Sequence, residues 1–358
     1  MNEKIGIFIL NYNGIQWLKK NLNNIYQSSE HYNIIVIDNN SSDDSVDYIN
    51  TNFPKIDVRV NRKNYGFAKG YNEVLLKEFN FTYFLLLNND VQVTNNWIEP
   101  MLRLIKKNNI SIVQPKILNA IQQNRFDYAG AAGGFIDILG IPFCRGRILN
   151  NIEFDFGQYD HNTKIFWASG CCLLIESNLF HQLHGFDEDL FMHQEEIDLC
   201  WRASLLNKAT YYCGSSTIYH YGGGTLAYNN RKKHYYNHRN NLLMLIKNLP
   251  ISLLIIILPI RLIMDYIIIT SYFLVGLLYI LFTFPLYFDK HYKPDNKYGI
   301  KNIKISFWIL LAHISGIFLL RKFIKKRSPI KTKCIYPSSI IWDYYMMKIR
   351  KFSELKKF

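Results

Sequence analysis

Three apolar runs near the start of the chain each stop abruptly at a cluster of amides and acids. Lys4 to Leu10 ends at Asn11-Tyr12-Asn13-Gly14, Ile34 to Ile37 at Asp38-Asn39-Asn40-Ser41-Ser42-Asp43, and Tyr83 to Leu87 at Asn88-Asn89-Asp90. Runs this continuous predict strands buried on both faces. The intervening segments carry helical spacing: Trp17, Leu18, Leu22 and Ile25, then Ala68 to Phe79, then Trp97 to Ile105 with Asn95 or Asn96 as N-cap. Strand and helix alternate, which predicts a largely parallel α/β sheet with its polar loops on one rim, where such sheets bind ligands. Asp90 falls on that rim, and an oxygen-rich strand end suits a hard divalent cation able to hold a diphosphate; a polar strand-to-turn cap is the plain alternative. Asp38 is placed to accept hydrogen bonds from a nucleobase or ribose. Asn64 to Asn72 brings Gly66 and Gly70 to a helix start, where backbone can approach a nucleotide closely.

The pattern changes after residue 249. Ile251 to Phe288 is an almost unbroken apolar tract and Ile305 to Leu320 a shorter one. The net charge of +14 also sits here: residues 1–249 hold 24 Lys and Arg against 23 Asp and Glu, and residues 250–358 hold 18 against 5. We therefore expect a catalytic-type domain over 1–249 and a hydrophobic, basic, membrane-associated helical region over 250–358. Basic residues beside apolar helices suit an anionic bilayer, whereas nucleic-acid binding favours charge on a polar, aromatic-studded face, so no nucleic-acid partner is expected. Tyr266 to Phe288 is long enough to cross a bilayer, but one crossing would leave the Lys290 to Lys304 linker outside, against the positive-inside tendency. An even number of crossings or none is required. With Pro259, Arg261 and Asp265 interrupting the first tract, a tight helical hairpin or interfacial helices are expected, and the interfacial or re-entrant form is preferred.

Ile9 to Gly14, Val36 to Asp43, Asn64 to Asn72 and Leu86 to Val91 resemble, in order, the successive motifs of family-2 inverting glycosyltransferases. The resemblance continues through Ser169 to Ile175, Gly185 to Phe191, Glu195 to Arg202, His220 to Thr225 and Arg239-Asn240. Within the family it looks most like the bacterial rhamnosyltransferase-like branch that builds surface polysaccharides. It implies a GT-A fold, a nucleotide-sugar donor (dTDP-rhamnose or a UDP-sugar), a polyprenyl-linked or polysaccharide acceptor, and usually Mg2+ or Mn2+. It further implies donor contacts at Asn11, Asn13, Asp38, Asn40, Asn64, Gly66, Gly70, Asn72, Asn89, Arg202 and Arg239, and acceptor-side roles for Asp187, Glu188 and Asp198. The family's metal triplet begins with Asp; here that position is Asn88, leaving Asp90 and His220 as the implied ligands. Such an enzyme would work at the cytoplasmic face of a bacterial plasma membrane.

Inverting transfer needs a base on the acceptor hydroxyl. Glu195, Glu196 and Asp198 crowd three carboxylates at a helix start, where a charged first turn is the plain alternative. By resemblance the second acid of the Glu195-Glu196 pair is the base, with Glu195 as rival, and like charges held close raise a carboxyl pKa toward a useful range. Arg202 and Arg239 have forked donors suited to diphosphate or to structural ion pairs. Gly222-Gly223-Gly224 reads as a mobile loop or a plain turn. Leu118 to Trp167, rich in Gly and aromatics without clear period, is expected to hold acceptor-specific loops. Six cysteines without metal spacing fit reduced thiols, and no cleavable signal is expected at the N-terminus. A sugar-phosphate nucleotidyltransferase and a non-catalytic sugar-nucleotide binder are the competing functions; the first should carry a Gly-rich phosphate loop, and Asn11-Tyr12-Asn13-Gly14 is a poor one.

Overall fold

A computed structural model describes residues 4–107, 109–222, 230–283, 297–327 and 335–356. The chain divides into two compact units, residues 1–225 with 332–358, and residues 226–331. The composition boundary at 249 thus falls inside the second unit, and the C-terminal segment belongs to the first.

In the first unit the elements run β1 (Ile5–Asn11), α1 (Ile15–Gln27), β2 (Asn33–Asp38), α2 (Ser45–Asn52), β3 (Asp57–Val60), α3 (Gly66–Leu75), β4 (Tyr83–Asn88), β5 (Val91–Val93), α4 (Ile98–Ile105) and β6 (Ile110–Asn119). Short strands β7 (Gly134–Ile136), β8 (Pro142–Cys144), β9 (Arg147–Ile148), β10 (Asn151–Ile152) and β11 (Thr163–Ile165) follow. Then come β12 (Cys172–Glu176), α5 (Ser177–Gln182), α6 (Glu195–Leu205) and β13 (Ala209–His220). The main sheet has the order β11-β13-β6-β12-β4-β1-β2-β3, with β5 on β13. β4, β1, β2 and β3 are mutually parallel, while β12 is antiparallel to both β4 and β6. The three apolar runs are the strands β1, β2 and β4, and their side chains are buried because α1, α2 and α4 cover one face with Leu18, Leu22, Ile25, Ile49, Met101 and Leu104.

Leu118 to Trp167 contains a small second sheet, β10-β9-β8-β7. The C-terminal segment closes onto it. The Ile340 amide, at the start of α10 (Ile340–Tyr345), donates to Asp137 (2.9 Å), the Tyr336 hydroxyl donates to Asp343 (2.7 Å), and Phe352 stacks near Phe135 and Phe143 with ring centroids 5.1 and 6.2 Å away.

The second unit comprises α7 (Arg231–Asn248), α8 (Ile251–Thr283) and α9 (Lys297–Lys325). Pro259 does not break α8: the helix runs continuously past it, and Arg261 and Asp265 face inward instead of ending it. The expected break is therefore absent, because the polar side chains find partners on neighbouring helices. α8 and α9 lie antiparallel, with Asp265 against His313 and Gly276 against Gly299, where an added Cβ at Gly276 would come 2.7 Å from the Gly299 carbonyl oxygen. Both helices are long and apolar enough, by length and composition, to cross a membrane.

Candidate active site

The parallel register pairs Asn11 with Asp38 and Leu10 with Asn88, so the polar ends of β1, β2 and β4 share one rim. β13 runs in the same direction through β6 and brings His220 to that rim, paired with Val91. There Asp38 is fully buried, accepting from Asn11 Nδ2 (3.0 Å), the Ser41 amide (2.7 Å) and Ser41 Oγ (2.6 Å). Asn11 Oδ1 in turn accepts from Asn89 Nδ2 (2.8 Å), and Asn13 Oδ1 from the Ser42 amide (2.7 Å). Asn13 and Asn40 hold positive φ angles of 47° and 63°, which the short amide side chain tolerates better than most. These residues hold one another in place, with Asn11 and Asp38 buried and Asn13, Asn40 and Ser42 at the exposed edge of the group.

Asp90 Oδ1 lies 3.3 Å from His220 Nε2, and both side chains are nearly buried. On the other side of the ring, His220 Nδ1 lies 3.1 Å from Asp127 Oδ2, leaving Asp127 Oδ1 without a hydrogen-bond partner. A carboxylate and an imidazole nitrogen at this separation, with a second carboxylate orienting the ring, fit the donor set of a divalent cation whose other ligands are diphosphate oxygens and water. Burial disfavours a charged imidazole, yet Cys171, Asp90 and Asp127 outweigh it and hold His220 well above the ordinary histidine range. Cation binding would therefore release a proton here. Sequence reasoning missed Asp127, whose only signal was an acid inside the aperiodic stretch after β6.

The turn before α6 is strained: Phe191, His193 and Gln194 have φ of 65°, 68° and 75°. It delivers the Glu195-Glu196 pair to the helix start. Burial raises the Glu196 carboxyl to about 7 against the opposing pull of the Glu196, Ile197 and Gly170 backbone amides. The Gly170 contact ties Glu196 to the loop entering β12, and the next carbonyl in that loop, Cys171, accepts from the Asn88 amide (2.9 Å). Glu195 is more deeply enclosed; burial, then Glu196 and Asp198, hold it well above the usual carboxylate range. Glu196 Oε2 has no hydrogen-bond partner, as a waiting base requires.

Several other residues expected at the site make contacts within the protein. Arg202 does not wait for a diphosphate: Nε donates to Asp198 (2.7 Å) and the two terminal nitrogens to the carbonyls of Leu183 (2.7 Å) and Gly185 (2.8 Å). Asp198, the partner in that ion pair, is fully buried. The start of α3 is not an open cradle, because the Phe191 carbonyl accepts from the amides of Phe67 (2.8 Å) and Ala68 (3.2 Å). Gly66, at φ 74°, makes room for Phe191, and Gly70 makes room for the Asn39 amide, at 2.7 Å from an added Cβ in each case. Asn64 Oδ1 accepts from the Gly66 amide (2.9 Å). Asn72 is buried and binds both the amide and the carbonyl of Phe186, at 2.9 Å each. Asp187 caps a short turn by accepting from Asp189, while Glu188 pairs with Lys69 at 3.0 Å and stays partly exposed. Arg239 belongs to α7 of the second unit, where Nε donates to Asn240 Oδ1 (2.9 Å). The glycine-run loop lies outside the described residues from Gly223 onward.

The family model for Glycosyl transferase family 2 matches residues 6–183. Residues 6–183 thus form a family-2 glycosyltransferase domain. Among relatives of this family-2 glycosyltransferase is the low-salt glycan biosynthesis hexosyltransferase Agl10 of Haloferax volcanii, 26% identical over 215 residues, covering 57% of this chain and 62% of that protein. Rhamnosyltransferase WbbL of Escherichia coli K12 is 24% identical over 212 residues, 58% of this chain and 79% of WbbL. The chain thus spans less than two thirds of Agl10. A crystal structure of GalNAc-T7 with UDP, GalNAc and Mn2+ shares the fold with a TM-score of 0.53 at 15% identity, covering 68% of this chain and 47% of that one. The mannosyltransferase PcManGT from Pyrobaculum calidifontis, in complex with GDP-Man and Mn2+, gives 0.50 at 10% identity, covering 89% and 88%. The GT-A architecture expected from the sequence is the one observed.

Proposed function

We propose that this protein is an inverting glycosyltransferase moving a sugar, rhamnose from dTDP-rhamnose or a hexose from a UDP-sugar, onto a polyprenyl-linked or surface-polysaccharide acceptor at the cytoplasmic face of a bacterial plasma membrane. The observation that carries this reading is the rim itself: Asp90 and His220 3.3 Å apart, with the half-buried Glu196 carboxyl, raised to about 7, tied to Gly170 in the loop whose Cys171 carbonyl accepts from the Asn88 amide. The rhamnosyltransferase relative supports the donor class, and the apolar, basic helices of the second unit support the membrane setting.

Glu196 takes the proton of the acceptor hydroxyl as that oxygen bonds to the anomeric carbon; the bond from that carbon to the diphosphate oxygen breaks on the opposite face, and the nucleoside diphosphate leaves. Asp90 and His220 would hold Mg2+ or Mn2+, which neutralises charge building on the diphosphate. Asp127 fixes the His220 ring, and the locked amides of Asn11, Asn13 and Asn89 keep the rim rigid.

A screen of nucleotide sugars that reads released nucleoside diphosphate tests the proposal. Turnover with one donor is expected, and Glu196→Gln should lower kcat by about 10²–10⁴-fold with donor affinity nearly intact. Donor binding without turnover for any acceptor, unchanged in Glu196→Gln, would instead establish a non-catalytic binder, the reading that Asn88 favours.

A further inference from the structure

The second unit separates polar from apolar across its thickness. α8 and α9 turn their polar groups toward α7: Asp265 meets His238 (3.1 Å) and His313 (3.0 Å), Arg261 donates to Asn241 (3.0 Å), and Tyr235 donates to Ser315 (2.7 Å). Their other sides expose Ile255, Ile256, Ile263, Ile267, Ile317 and Phe318, each more than half exposed.

α7 matters because of how far it reaches. Near its C-terminal end, Arg327 donates to the carbonyls of Ile246 and Leu249; near its N-terminal end, the His234 ring lies 6.0 Å from Tyr272. α7, 18 residues and about 27 Å long, therefore lies along most of the α8 stretch from Ile251 to Tyr272, whose rise of about 32 Å is close to the hydrocarbon thickness of a bilayer. Any crossing by this stretch would draw Arg231, Lys232, Lys233, Arg239 and Lys247 through lipid. The part of the hairpin beyond Tyr272, out to Leu281, rises only about 14 Å and is too short to cross alone.

We propose that α7, α8 and α9 form one layer that rests within a single leaflet of an anionic bilayer, apolar faces of α8 and α9 in the lipid and α7 on the side away from it, without crossing. Arg321, Lys322, Lys325, Lys326 and Arg327 lie at the end of α9 and supply the matching charge. This rests on the membrane setting proposed above and replaces its open choice of topology with one arrangement.

The test uses the full chain in sealed inverted membrane vesicles, whose outer surface is the cytoplasmic one. Cys334→Ser removes the one cysteine outside the five that are buried and unbonded. Into it are placed Lys293→Cys, between α8 and α9 in the sequence, or Lys356→Cys, near the C-terminus, and a membrane-impermeant maleimide is added before and after permeabilisation. Labelling of both positions before permeabilisation, within about twofold of each other, supports the single-leaflet layer. Protection of Lys293→Cys until the vesicles are opened, with Lys356→Cys already labelled, means a crossing hairpin and overturns it while leaving the membrane setting intact. Recovery of the chain in the soluble fraction, free of vesicles, overturns both.

Discussion

At pH 7 the Glu196 carboxyl, raised to about 7 chiefly by burial, is divided between its two protonation states. Only the ionised form can accept a proton, so kcat/KM should fall about tenfold per pH unit well below 7 and level off above it, a limb that a pH–rate profile of Glu196→Gln should lack. The same shift bears on stability. Because the folded value lies above the unfolded one, the native state binds the extra proton between about 4.5 and 7, and this group's contribution to stability is lost as pH rises through that window. Across the rim, Asp127→Asn should free the His220 ring and weaken Mn2+ binding by about 10–100-fold in a metal titration, with the fold intact by circular dichroism. Which acids matter was half legible in the sequence. Asp90 and Glu196 stand at abrupt ends of patterned segments, whereas Asp127 reaches His220 only because the chain after β6 doubles back, the Asp127 amide donating to the Ile117 carbonyl (3.0 Å). Arg202 could not be resolved between its two readings for a related reason: its carbonyl partners at Leu183 and Gly185 are set by tertiary folding, not by spacing along α6.

Among the elements, the strands were the easiest to foresee, since buried parallel strands are apolar on both faces and leave nothing for a helix to alternate. The start of α3 was harder. Its two glycines suggested a nucleotide cradle, yet at Gly66 the missing side chain admits another part of the protein, the Phe191 ring and carbonyl. Gly66→Ala should therefore destabilise the first unit by about 1–3 kcal/mol, through both the positive φ and the clash, readable as a lower midpoint in denaturant unfolding. Since Phe191 begins the strained turn that delivers Glu196, activity should drop further than the loss of folded protein accounts for. α8 shows the opposite error: proline and two charges in an apolar tract read as an interruption, but those charges are satisfied by α7 and α9, and the helix continues.

For the molecule as a whole, no residue pattern foretells that residues after the second apolar helix return to the first unit. They carry too little pattern of their own, and their apolar groups, Tyr336, Ile340 and Phe352, acquire meaning only against Phe135, Phe143 and Asp137. Removing residues 335–358 should consequently lower the thermal midpoint and soluble yield of the first unit. By the same logic, cutting at residue 250 would not isolate an intact catalytic unit; excising 226–331 and joining the flanks is the sounder truncation. If that shortened protein still sediments with anionic liposomes, the helices are not the membrane anchor.

The helical module is thus an insertion between β13 and the closing segment, and this orders events during synthesis. A nascent chain exposes its lipid-seeking helices before the ribosome has made Tyr336 or Ile340, and N-terminal parts ordinarily fold first. The sheet can assemble early, but its final buttress is made only after the helices, so in the membrane setting proposed above the fold of the first unit closes after the helices have had the chance to find a bilayer.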